Sequence, residues 1–114
     1  MTPEQFIECL RREILEDNIA VYEQQLAESA EKARDTQWKA MLEAYQSMNG
    51  DQQSAVKFLL RQVLLDTLSN VLGVLDGSCL LKNYREGFSL AYGKSPEKLS
   101  GFLQDYFLAA EEDQ

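Results

Sequence analysis

The sequence predicts an all-α fold, with one domain, residues 1–114, forming a compact bundle of four to five helices around a central apolar helix at about 52–76. Three observations support this prediction. Apolar side chains recur at intervals of three and four residues along most of the chain. No glycine or proline interrupts residues 4–49. The length and the 45% hydrophobic composition suit a single hydrophobic core.

The first helix is predicted to begin at residues 2–5, Thr-Pro-Glu-Gln. The threonine can cap, the proline suits the first helical position, and the glutamine completes the spacing of a capping box. Apolar residues then fall on one helical face: Phe6, Ile7, Leu10, Ile14 and Val21. We expect this helix to extend to about Ala33, and a second helix capped by Asp35 or Thr36 to follow. A corner and a continuous helix are both compatible with residues 34–36.

Residues 49–51, Asn-Gly-Asp, separate the second helix from the third. We expect Gly50 to end one helix in the left-handed conformation and Asp51 to cap the next. Apolar residues of the segment 52–76 cover well over half of a helical wheel, whereas a surface helix needs only about 100° of apolar face. The sequence therefore predicts that this helix is buried on several sides, and that it ends at residues 76–78, Asp-Gly-Ser.

The segment 79–93 is ambiguous. Phe88, Leu90 and Tyr92 alternate with small residues, which is typical of a short strand in a small hairpin, but a short helix over residues 84–92 is equally compatible. Ser95 followed by proline is expected to open the last helix. The acidic tail at residues 111–113 would lie at the carboxyl end of that helix, where negative charge is mildly unfavourable, so we expect it to fray.

The charge balance restricts the classes of partner. The chain carries 19 acidic and 11 basic residues, a formal net charge of −8. Sequence-independent nucleic-acid binding and attraction to an anionic membrane both need an excess of cations, so we expect neither. No uninterrupted apolar run approaches the roughly 18 residues of a membrane span. No basic stretch followed by an apolar one marks a signal peptide, so a cytoplasmic location is expected.

Enzymatic chemistry is not expected either. Histidine is absent, and the only cysteines, Cys9 and Cys79, form no CxxC pair and are expected to be small buried apolar groups. The glycines match neither a phosphate-binding loop nor a dinucleotide motif. We therefore predict a protein that is not an enzyme and that has no catalytic residues, no bound metal and no cofactor.

A polar stripe on the apolar helix allows three interpretations; it consists of Gln62, Asp66, Ser69, Asn70 and Gly73. It could be the exposed edge of the helix, with Gly73 allowing a close approach. Alternatively, Asp66 is partly buried and accepts hydrogen bonds that hold the carboxyl-terminal segment. In the third interpretation the stripe is the floor of a small groove.

Acidic residues crowd the first helix, and we select four of them as candidate partner contacts: Glu13, Glu16, Asp17 and Glu23. A solvated helical face is the simpler explanation of such a series. As contacts, these carboxylates would pair with lysine or arginine of a basic protein and so mimic phosphates.

The pattern at residues 60–77 also carries a resemblance. An apolar helix with an internal aspartate, Leu-Leu-Asp-Thr-Leu at 64–68, is followed by Leu72 and Leu75, by an irregular segment, and by Leu-Ser-Gly-Phe-Leu at 99–103. In this it resembles small all-helical bacterial immunity-type proteins, which are encoded beside secreted toxins. The resemblance implies a cytoplasmic inhibitor that binds a toxin domain and blocks its active site. No binding residue carries over, because the family diverges at those positions.

Two other functions stay open. In one, the chain is a structural or adaptor subunit that acts as a homo-oligomer or within a complex. In the other, a small bundle binds a ligand in a pocket that gathers Asp66, Arg61 or Lys57 with a tyrosine.

Overall fold

The computed structural model describes residues 1–113 and confirms the all-α class. Its helical elements are α1 (Pro3–Leu10), a π-helical segment (Arg11–Glu16), α2 (Asp17–Leu26), a 3-10 turn (Ala30–Lys32), α3 (Thr36–Gln46), α4 (Gly50–Asp76) and α5 (Leu103–Glu112). The first three follow one another without a break, and together they are called the N-terminal helix below. No strand occurs in the part of the chain that the structure describes.

The N-terminal helix begins as predicted and ends earlier than predicted. The Thr2 hydroxyl accepts from the Gln5 backbone N–H at 3.1 Å, and the Gln5 side chain accepts from the Thr2 N–H at 2.9 Å, so the capping box is present. The helix ends at Leu26 because the Gln46 amide, arriving from α3, donates to the Leu26 carbonyl at 3.2 Å. A corner follows, in which Asp35 caps α3 by accepting from the backbone N–H of Trp38.

The start of α4 differs from the prediction by two residues. Asn49 is the cap, and its side chain accepts from the backbone N–H of Gln52 at 2.9 Å. The Gln52 side chain in turn accepts from the backbone N–H of Asn49 at 3.0 Å. Gly50 is already helical and Asp51 lies in the first turn, so the expected roles of both were wrong. In this capping box two backbone N–H groups find side-chain acceptors. A cap at Asp51 would lack the second, reciprocal bond. Gly77, with φ of 85°, ends the helix.

Two separate hydrophobic clusters make the molecule elongated. The larger joins the N-terminal helix, α4 and α5, and its fully buried members are Ile7, Leu15, Leu72, Leu103 and Phe107. The smaller lies at the other end, where α2 meets α3, and contains Leu26, Leu42 and Tyr45. The radius of gyration is 17.9 Å, against about 13 Å for a compact domain of this size. The predicted helical bundle is therefore confirmed, and it is elongated rather than compact.

Helix α4 is only partly covered, which corrects the prediction that it is buried on several sides. Its buried residues are Ser69, Leu72 and Gly73, whereas Leu59 is 62% exposed. The N-terminal helix and α5 cover one side of α4, and no described element packs over the other. By length and mean hydropathy α4 is the one helix among the described residues that could cross a membrane, although polar residues interrupt its apolar runs; 22% of its most apolar part is buried.

The segment between α4 and α5 forms neither the hairpin nor the helix that we considered for 79–93. It is irregular, with one isolated antiparallel bridge between Ala91 and Lys98. Helix α5 begins at Leu103 rather than at Ser95, because the Asp76 carboxylate caps it. That carboxylate accepts from the backbone N–H groups of Gly101, Leu103 and Gln104 at 2.7, 3.0 and 2.8 Å. The end of α4 thereby fixes the start of α5.

Candidate protein-binding surface

Two arginines and two glutamates connect the three long elements. Arg11 is buried, donates to the Glu111 carboxylate and to the Phe107 carbonyl, and lies 5.1 Å above the Phe107 ring. Arg61 of α4 lies 3.0 Å from Glu16 and 3.2 Å from Glu111. Glu111 therefore holds the end of α5 between two helices, and the expectation that residues 111–113 fray was wrong for this residue.

The ion pairs shift two pKa values. Partial burial by itself would raise the pKa of Glu111, but hydrogen bonds from Arg11 and Arg61 outweigh it and hold that pKa below its ordinary value. The pKa of Arg61 is raised above its ordinary value, mainly by its hydrogen bond to Glu16. Glu111 is thus ionised in the folded protein at neutral pH, as the network requires.

The π-helical segment positions the two ends of this network. A π-helix bonds residues five apart and widens the turn. Arg11 and Leu15 both face inward, while Glu16 reaches Arg61. The sequence contains a signal for the burial of Arg11 that our prediction did not use. Arg11 lies four residues after Ile7 and four before Leu15, on the apolar face of the helix. A cation at such a position needs a buried anionic partner.

An acidic groove lies between the N-terminal helix and α5, with a cavity volume of about 590 Å³. Its floor is apolar and includes Ile7, Ala109 and Ala110. Carboxylates surround the floor: Glu4, Glu8, Glu16, Asp17 and Asp113. Both arginines that line it are engaged, Arg11 by Glu111 and Arg12 by Glu8, and Glu16 is paired with Arg61. The other three carboxylates form no ion pair within residues 1–113. The acidic groove can therefore receive a cation whose aliphatic stem covers the floor.

The four predicted contact residues are all exposed, but they do not form one site. Glu16 and Asp17 line the acidic groove. Glu13 lies outside it and is 3.6 Å from Arg12. Glu23 lines a second, smaller groove between α2 and α4, which Glu16 lines as well. Only half of the predicted set therefore converges on one surface.

The polar stripe of α4 agrees in part with the first interpretation, since Gln62, Asp66 and Asn70 form an exposed edge whereas Ser69 and Gly73 are buried. Asp66 is exposed and accepts only from the Gln62 amide, so the hypothesis that it anchors the carboxyl-terminal segment was wrong. The anchor is Gln104 of α5, which donates to the Ser69 carbonyl at 3.0 Å. Gly73 does allow a close approach, since a Cβ there would lie 2.8 Å from the sulfur of Cys79.

Asp66 lies apart from the other groups considered for a ligand pocket. Arg61 and Lys57 line the groove that contains Glu23, but Asp66 does not line it. Cys9 and Cys79 are free thiols and half-buried. Within residues 1–113, no three cysteine or acidic side chains approach closely enough to hold a metal ion.

Comparison of the chain with protein-family models, with curated proteins and with solved structures gives no match. The similarity to immunity-type proteins is thus carried by the residue pattern alone and stays a prediction. The acidic groove is the feature from which a function can be argued.

Proposed function

We propose that this chain is a non-enzymatic protein-binding domain whose acidic groove receives a basic segment of a partner protein. The observation that carries the proposal is that five carboxylates line the groove beside apolar side chains, while both arginines that line it are already paired with glutamates. The net charge of −8 adds a long-range attraction toward the same class of partner.

The two parts of the groove have different roles in this proposal. An exposed ion pair contributes only about 0.2–1 kcal/mol, so the carboxylates mainly select the partner and speed the encounter. Affinity comes from apolar contacts with the α5 side of the groove, where Tyr106 and Ala109 are exposed. A lysine or arginine fits both, because its stem is apolar and its end is charged.

The more specific form of the proposal is an immunity-type inhibitor in the cytoplasm. A nuclease toxin presents a basic cleft that binds phosphates, and a rim of carboxylates would mimic them. Of the two predicted contacts that line the acidic groove, Asp17 would occupy that cleft in this proposal, whereas Glu16 is held by Arg61.

A capture experiment tests the proposal. Immobilised wild-type chain and a Glu8→Lys/Asp17→Lys variant are exposed to lysate of the source cell, and the bound proteins are identified by mass spectrometry. We expect the wild type to retain a basic protein whose association slows as salt increases. The variant should associate with that protein at least about tenfold more slowly, because steering is lost.

A matched control distinguishes the effect of the acidic groove on association from the effect of net charge. Glu28→Lys/Glu43→Lys makes the same change of charge at exposed positions outside the acidic groove. It should keep most of the association rate. If both double variants slow association equally, or if the wild type captures no basic protein, the proposal that the acidic groove binds the partner is contradicted. If the captured protein is a toxin, stoichiometric addition of the chain should abolish its activity.

A further inference from the structure

The side of α4 that faces away from α5 carries a regular exposed ridge. Leu59, Val63, Thr67 and Val71 are spaced four residues apart and all are exposed; we call these four residues the outer ridge. Val63 and Val71 expose 53% and 51% of their surface. Ridges of this spacing are the ones that interlock in the commonest class of helix crossing. The outer ridge therefore has the form of a helix-packing surface without a partner.

The apolar surface continues past the end of the ridge. Val74, one turn after Val71, lines a groove of about 580 Å³ with side chains from the irregular segment, among them Leu80, Leu81, Tyr84 and Phe88. Tyr84 is 71% exposed. The outer ridge and these five residues together are called the outer face.

The size of the outer face matches a protein interface. Seven of its large apolar side chains, all but Val74, are 49–71% exposed. At roughly 150–200 Å² per side chain, this leaves on the order of 700 Å² uncovered, near the about 800 Å² per partner of a standard interface. Monomeric proteins rarely expose a continuous apolar patch this large.

The charges that line the outer face allow a second copy of the same chain to dock there. Arg85 and Glu86 both line its groove, and their charges cancel. The chain as a whole has a net charge of −8, so two copies repel one another over most of their surfaces. The outer face is a large apolar area on which that repulsion is absent.

We propose that two copies of this chain associate through the outer face, with their α4 helices crossing about a two-fold axis near Val63 and Thr67. In such a crossing the outer ridge of one copy lies in the groove beside the outer ridge of the other, so one surface serves both copies. The acidic groove stays free, because it lies between the N-terminal helix and α5. The dimer does not depend on the proposed function.

Sedimentation velocity of the wild-type chain, from about 1 µM to about 100 µM, tests the dimer. We expect the mass to approach twice the 13.0 kDa of the chain. A Leu59→Glu/Val63→Glu variant should sediment as a monomer over the same range, with an unchanged far-ultraviolet circular dichroism spectrum. Both positions are exposed in the single chain, so its folding does not depend on them.

The control is Ile14→Glu/Val21→Glu, which places the same charges at exposed apolar positions of the N-terminal helix. This variant should still dimerise. A wild-type chain that stays monomeric, or a ridge variant that still dimerises, overturns the proposal. So does a monomeric wild type that floats with phosphatidylcholine–phosphatidylglycerol vesicles while the ridge variant does not, because lipid would then cover the outer face.

Discussion

The two sides of α4 reverse the usual distribution of polar and apolar residues. Its inner side, against α5, buries Ser69 and Gly73 beside Leu72. Its outer side exposes Leu59 and Val63. The inner polar groups are satisfied, since Gln104 donates to both the carbonyl and the hydroxyl of Ser69. Burial along this helix is therefore decided by which element packs against it, and not by which residues are most apolar.

Because one helix supplies both environments, residues of the same type can be compared directly. The inner side should control the stability of the single chain, and the outer side should control its association. The comparisons below are made at protein concentrations low enough to keep the chain monomeric, and in order of decreasing effect.

The largest difference is expected between two leucines of α4. Leu72→Ala empties a fully buried position and should lower the free energy of unfolding by about 2–5 kcal/mol, through lost transfer energy and a residual cavity. Leu59→Ala should change it by no more than about 0.5 kcal/mol. Urea denaturation of both variants measures the difference. Similar losses would mean that the outer side is covered within the single chain.

Two aspartates of α4 give the next comparison. Asp76 accepts three backbone N–H bonds at the start of α5, so Asp76→Ala should cost about 2 kcal/mol. Asp66→Ala removes one exposed bond to Gln62 and should cost less than about 0.5 kcal/mol. Thermal unfolding followed by circular dichroism measures both. A large loss for Asp66→Ala would restore the anchoring role that we reject.

Two glycines test the close approach on the inner side. Alanine normally stabilises a helix by about 1 kcal/mol relative to glycine, but a Cβ at Gly73 would lie 2.8 Å from the Cys79 sulfur. The bond from the Cys79 N–H to the Gly73 carbonyl fixes the backbone there, so the sulfur would have to change rotamer, and the Gln104 amide, 3.1 Å from the new Cβ, is held by Ser69. Gly73→Ala should therefore cost about 1 kcal/mol net, measured by urea denaturation.

The control for that prediction is Gly50→Ala, since a Cβ there meets no atom within 4 Å. It should leave stability unchanged to within about 0.5 kcal/mol. Adding Cys79→Ala to Gly73→Ala removes the sulfur and should recover part of the loss. An unchanged loss in that double variant would point away from the clash as its cause.

The smallest effect concerns pH and the ion pairs of Glu111. Its pKa is lower in the folded state than its ordinary value of 4.5, so the folded state favours the ionised form. The resulting stabilisation is complete above pH 4.5 and is lost as the pH falls through the folded value. Wild type and Glu111→Gln should thus differ most near neutral pH and converge in acid, as urea denaturation at several pH values would measure. A constant difference would contradict this role of the carboxylate.

Local signals in the sequence predicted much of the fold. The Thr2–Gln5 capping box, the Asp35 cap and the end of α4 at Gly77 each depend on residues within a few positions of one another. The start of α5 could not be predicted in this way. Its capping carboxylate is Asp76, which lies 27 residues before Leu103.

The candidate site was predictable only in part. The acidic character of the N-terminal helix is evident from composition, and Glu16 and Asp17 do line the acidic groove. The other wall of the groove belongs to α5, which adds Ala109, Ala110 and Asp113 from the far end of the chain. Helical periodicity gives no information about how α1 and α5 are placed relative to each other, so the groove itself could not be predicted.

The sequence by itself determined that this protein is helical, roughly where its helices lie, and how the N-terminal helix and α3 begin and α4 ends, because those properties depend on side chains and backbone groups a few residues apart. Only the tertiary structure decided that α4 is covered on one side, and that Arg11 and Glu111 meet across 100 positions. Burial requires an opposing surface, and the chain places one against the inner side of α4 alone.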